Sequence, residues 1–77
     1  MNKILEKKLN EYREELKEFS NDDLLFEYGF SCIEVDRFRQ LYKKDSGNEY
    51  YQTRFEYEKQ CKRICKNEVL KRMGGNK

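Results

Sequence analysis

Phe19-Ser20-Asn21-Asp22-Asp23-Leu24 is the stretch on which the fold of this chain turns. Ser20 has the kind of side chain that caps a helix, accepting a hydrogen bond from a backbone N–H left without a partner in the first turn. Asp23 stands at the third helical position, and Phe19 and Leu24 occupy the two positions of a hydrophobic staple. One helix therefore ends near residue 19 and another starts at residue 21. Further along, Lys43-Lys44-Asp45-Ser46-Gly47-Asn48-Glu49 reads the same way. Two lysines suit a helix C-terminus, Gly47 interrupts, and Ser46 with Glu49 makes a capping-box pattern. With no proline and only four glycines in 77 residues, these are the two strong breaks. The fold expected is all-α: an up-down-up three-helix bundle in a single domain, residues 1–77. Its helices lie at about 2–19, 21–44 and 48–73, helices 2 and 3 form a long hairpin, and 74–77 is a flexible tail.

The apolar periodicity assigns faces to these helices. In helix 1, Leu5, Leu9, Tyr12, Leu16 and Phe19 alternate at spacings of four and three, a narrow coiled-coil-like heptad stripe. Helix 2 carries Leu24, Tyr28, Val35, Phe38 and Tyr42 along one face, with Leu25 and Cys32 at its shoulder. At 100° per residue, Phe26, Phe30, Ile33 and Leu41 fall on the opposite side. Helix 3 gathers Tyr50, Tyr57, Cys61, Ile64 and Cys65, with Tyr51, Phe55, Val69 and Met73 widening the arc. Gln52, Glu56, Lys59, Gln60, Arg63, Lys66 and Asn67 make its wet side. Gly29 is a misfit inside helix 2, pointing to a kink, to another backbone passing close, or to a glycine merely tolerated. Alternation at period two never persists, so strands are not expected.

Val, Ile, Leu and Phe supply only 17 of 77 residues, near the floor at which chains stay unfolded, but a net charge of +2 and six tyrosines argue for folding. A core this thin benefits from a partner chain. The charge is polarised. Residues 1–36 hold five basic and ten acidic side chains (net −5), and residues 59–77 hold seven and one (net +6). Helix 1 opposes its own dipole, with Lys3, Lys7 and Lys8 at its start and Glu14, Glu15 and Glu18 at its end. In an up-down-up bundle helices 1 and 3 are parallel. The expectation is that these glutamates meet Lys66, Lys71 and Arg72, and that Lys7 and Lys8 meet Glu56 and Glu58.

Catalysis finds little support. The chain has no histidine, and no carboxylate pair sits in an apolar setting that would tune it for proton transfer. Cys61 and Cys65 are four apart rather than in the C-x2-C spacing of zinc sites, and no base stands ready to activate a thiol. The three cysteines, Cys32 included, are expected as free thiols in a reducing cytoplasm. No enzyme, metal, cofactor or small-molecule substrate is expected. The longest apolar run, Leu24-Leu25-Phe26, is far short of a membrane span, and no secretory leader is apparent at Met1-Asn2-Lys3-Ile4-Leu5.

Two binding functions survive. Helix 1, with one narrow seam, can cover only one face of helix 2, so Phe26, Phe30, Ile33 and Leu41, with Arg37 among them, form a candidate partner-binding face. Its occupant is a protein target, a second copy of the chain in a homodimer, or both. The opposing view is that helix 1 packs on this face and helix 3 on the other, leaving a self-sufficient monomer. The alternative function is nucleic-acid binding by the basic last helix through Lys59, Arg63 and Lys66, although no helix-turn-helix, zinc-finger or RNA-binding signature accompanies it.

Ser20-Asn21-Asp22-Asp23-Leu24-Leu25-Phe26-Glu27-Tyr28-Gly29, then Glu34-Val35-Asp36-Arg37, and the closing Glu68-Val69-Leu70-Lys71-Arg72-Met73 resemble small helical accessory proteins of phages and mobile elements of Gram-positive bacteria. The likeness spans about the last three quarters of the chain and rests on capping and heptad patterns. It implies a short cytoplasmic protein that binds and modulates a host protein, such as a defence factor or a component of transcription or replication. It brings no functional residues with it.

Overall fold

The computed structural model describes residues 3–74, which form three helices: α1 (Lys3–Lys17), α2 (Asn21–Lys44) and α3 (Glu49–Gly74). The proposed tail at 75–77 lies outside the described residues, while Gly74, assigned to that tail, is the last residue of α3. No strand occurs among the described residues. The bundle is elongated, 45 × 25 × 18 Å, because two long antiparallel helices form its frame and the shorter α1 lies along part of it.

Local chemistry sets the two turns. Ser20 caps α2 with an extended backbone, and its Oγ accepts from the Asp23 backbone N–H at 3.1 Å. At the second turn the cap is not Ser46. Asn48 takes that role, its Oδ1 accepting from the Tyr51 N–H at 3.2 Å, so α3 starts at Glu49. A short amide side chain one residue before the helix satisfies the orphan donor as well as serine would, and it sits at the right position. At the preceding helix end, the Asp45 N–H closes the last turn of α2 on Leu41 O.

α1 ends at Lys17, two residues earlier than the heptad stripe suggested, and the chain then tightens, Glu18 and Phe19 donating to the carbonyls of Glu15 and Leu16. The reason lies across the bundle. Arg72 of α3 places its guanidinium on the end of α1: Nη1 donates to Phe19 O at 2.7 Å and to Asn21 Oδ1 at 3.0 Å, and Nη2 donates to Leu16 O at 3.0 Å. Glu68 holds the other edge of the fork through Nε at 2.9 Å. A cation at the negative end of a helix satisfies carbonyls that have no intrahelical partner. The expected pairing of Arg72, Lys66 and Lys71 with Glu14, Glu15 and Glu18 is therefore replaced. Among the described residues all six ion pairs are local, three or four residues apart in one helix, including Lys17–Glu14 and Lys59–Glu56. The planar guanidinium instead spans the carbonyls at the end of α1 and the Glu68 carboxylate at once, a set of acceptors already held in place by the backbone and by its own helix.

The core runs between the three helices. Leu9 and Leu16 of α1 meet Leu24 of α2 and Cys61, Ile64, Cys65 and Val69 of α3, with Leu5, Tyr12, Phe19, Tyr28 and Tyr57 packed around them. Every residue of the α1 stripe contributes. Tyr12 also donates to Glu27 Oε2 at 2.8 Å beside the buried Ser31. Burial, the largest influence, carries the Tyr12 phenol well above its ordinary range. Beyond the start of α1 the hairpin closes on itself. Phe38 is buried beneath the Arg54 guanidinium, 4.6 Å from its ring centroid, and Tyr42 stacks on Phe55 at 6.0 Å.

Candidate interaction face

α2 faces its neighbours with one side only. Its buried residues Leu24, Ser31 and Phe38 recur at a seven-residue interval, and both α1 and α3 pack on that side. The opposite side is uncovered: Phe26 is 81% exposed, Ile33 65% and Phe30 53%. Helix 1 does not roof this face, so the self-sufficient arrangement in which α1 and α3 take opposite sides of α2 is not the one adopted. A narrow heptad seam fits a groove between two helices better than it wraps around one of them.

Arg37 lies on the same side with a largely exposed side chain, reaching Glu34 at 3.5 Å. Leu41 is half-buried. Ile33, Arg37 and Leu41 together line one shallow concavity with Asp36, Gln40 and Lys44. Asp36 donates nothing; its carboxylate accepts from Arg39 at 2.6 Å and from Gln40 at 3.1 Å, and the Arg39 bond holds its pKa below the usual carboxylate value. The face is thus an apolar centre of Phe26, Phe30 and Ile33, bounded by Asp22 and Asp23 toward the N-terminus and by Arg37, Lys43 and Lys44 toward the C-terminus.

Gly29 lies beside this centre. A Cβ built on it would meet no atom within 4 Å, and no glycine among the described residues has a positive φ. Neither packing inside the protomer nor backbone conformation requires glycine there, although it costs a mid-helix position roughly 1 kcal/mol against alanine.

Two apolar residues were placed on the wrong side by periodicity. Leu25, expected at the inner shoulder of α2, is 52% exposed, and Met73, expected on the buried arc of α3, is 70% exposed. With Asn21, Leu24, Val69 and Arg72 they line a groove of about 270 Å3 between the start of α2 and the end of α3. The 100° step from buried Leu24 to Leu25 was the available signal. Tyr50, also expected inside, is exposed, because α1 does not extend to the end of the hairpin where it lies.

The nucleic-acid candidates are on the outer side of α3. Lys59, Arg63 and Lys66 are all exposed. Lys59 is engaged by Glu56 at 3.1 Å and lies 4.7 Å from the Phe55 ring centroid, while Arg63 and Lys66 form no ion pair among the described residues.

Two of the three thiols lie in the core. Cys61 and Cys65 are buried, Cys32 half-buried, and all three are free. Burial pushes both Cys61 and Cys65 up to about 11, the opposite of an activated nucleophile. Among the described residues no three acidic or cysteine side chains converge as a metal site, and no helix is long and apolar enough to cross a membrane. No protein-family model, curated protein or solved structure matches this chain.

Proposed function

We propose that this chain is a small non-enzymatic protein-binding module that docks through the outer face of α2, and that it acts as a phage or mobile-element modulator of a host protein. The observation that carries the binding role is the solvent exposure of Phe26, Phe30 and Ile33 on the one face of α2 that neither α1 nor α3 covers. Large side chains of this kind form the anchors of interface cores, and leaving them in water serves nothing in the isolated protomer. Arg37 and the lysines at the far end of the face would orient a partner and speed encounter. The host-modulator role follows from the resemblance, and self-association through the same face belongs to the same reading.

The test is a pull-down from a Gram-positive bacterial lysate with the wild-type chain, Phe30→Asp and Ile33→Asp as baits. The wild type should retain a protein that both variants lose, while circular dichroism stays helical for all three. Equal recovery by all baits would remove the face from the account, and loss of helicity in both variants would make it ordinary core.

A second reading, nucleic-acid binding through α3, is favoured by the exposure of Arg63 and Lys66, which form no ion pair among the described residues. It requires affinity for DNA or RNA that falls steeply with salt and weakens when Lys59, Arg63 and Lys66 are replaced. No binding at low salt would dismiss it.

A further inference from the structure

We infer that a second copy of this chain occupies the outer face of α2, packed antiparallel, α2 against α2, with the two-fold axis between Gly29 and Phe30. This rests on reading the face as an interface, and it specifies the occupant and the register.

Three observations converge. The first is the vacancy at Gly29, where a side chain would meet nothing within the protomer. A glycine on an exposed helix face lets another helix approach closely, and with the axis placed here each Phe30 ring lies over the Gly29 of the other copy. The second is the order of residues along the face. About the same axis, Phe26 of one copy lies opposite Ile33 of the other, so the three most exposed large residues of the centre cover one another in a closed, self-complementary set.

The third is charge. Asp22 and Arg37 stand 7.5 residues either side of the axis, about 11 Å along the helix, so each Asp22 comes level with the other copy's Arg37. A parallel pair would instead set Asp22 against Asp22 and Arg37 against Arg37. Asp22 has no ion pair among the described residues, and Arg37, with a 3.5 Å contact to Glu34 and its guanidinium 5.5 Å from the Phe38 ring centroid, keeps a largely exposed side chain, so both can reach a second copy.

The size is sufficient for a modest dimer. Phe26, Phe30 and Ile33 leave on the order of 400 Å2 of side chain in water. Doubled by the second copy and widened by Asp22, Leu25 and Arg37, this approaches the roughly 1,200 Å2 at which specific interfaces begin.

Sedimentation equilibrium of the full chain tests the inference. The wild type should dimerise, and Phe30→Asp should weaken dimerisation by about 30-fold or more with helicity retained. Gly29→Ala separates fold from interface. In the monomeric Phe30→Asp background it should raise Tm by about 4–8 °C, through helix propensity, yet in the wild-type background it should loosen the dimer by about tenfold. Asp22→Arg and Arg37→Glu should each impair self-association, and mixing the two variants should restore pairing, because both contacts of the mixed antiparallel dimer are then complementary. A wild type that stays monomeric at about 1 mM overturns the inference. So do a dimer indifferent to Gly29→Ala and charge variants that fail to complement. A monomeric wild type whose pull-down partner still depends on Phe30 refutes the second copy as occupant while leaving the face an interface; a monomer with no Phe30-dependent partner refutes both.

Discussion

Leu16 is shielded from water and Phe26 is 81% exposed, although both are large apolar residues on helices of one small protein. Leu16 is held by the core between all three helices, so Leu16→Ala removes buried methyl groups and leaves a cavity, at a cost of about 3 kcal/mol or more. Phe26→Ser removes only surface that is already wet and should change stability by less than about 0.5 kcal/mol in dilute protein. Urea denaturation of the two variants distinguishes them, and equal losses would mean that Phe26 is core. Arg72 is the other decisive residue. Its five donors in a planar fork reach three backbone carbonyls, the Asn21 side chain and Glu68 at once, which the single ammonium of lysine cannot do.

At the scale of elements, that fork substitutes for the C-cap that α1 lacks. Arg72→Ala should destabilise the protein by about 2–3 kcal/mol, and Arg72→Lys should recover little of it. Amide exchange should report the loss mainly as fraying between α1 and the α2 cap. Uniform loosening of all three helices would place the role of Arg72 elsewhere. The same contact explains how α1 tolerates glutamates at its negative end: the compensating charge comes from α3 and acts on the backbone rather than on the glutamates. α2 shows the opposite economy, with capping and dipole signals in their expected places and its second apolar face left unused within the protomer.

For the whole molecule, the buried thiols make stability fall with alkaline pH. Burial raises Cys61 and Cys65 from about 9.0 to about 11. Below pH 9 the native and unfolded states both keep these protons, and the thiols add no pH dependence. Between pH 9 and 11 the unfolded chain gives up protons that the native state retains, so the balance moves toward unfolding. Under reducing conditions the urea midpoint should therefore be lower at pH 10.5 than at pH 8, and a double Cys61→Ala, Cys65→Ala variant should lose the thiols' share of this dependence while keeping the part due to Tyr12 and Tyr57, whose phenols burial also raises. An unchanged midpoint in the wild type would mean that the thiols ionise in place.

Three helices, their order and the start of α2 could be read from Ser20, Asp23 and the 3.6-residue period, because caps and periodicity are local properties carried by residues close together in the chain. The candidate face was legible for the same reason: Phe26, Phe30 and Ile33 lie on one side of α2 whatever packs around it. Which side α1 would cover was not legible, since a helix wheel is silent about neighbours. Nor was the destination of Arg72, whose partners Leu16 and Phe19 lie more than 50 residues away and come within reach only when the bundle closes. The misplacement of Leu25, Tyr50 and Met73 has the same origin. Periodicity says which residues share a face, but burial requires another helix to arrive there, and the length and position of α1 decided where one did.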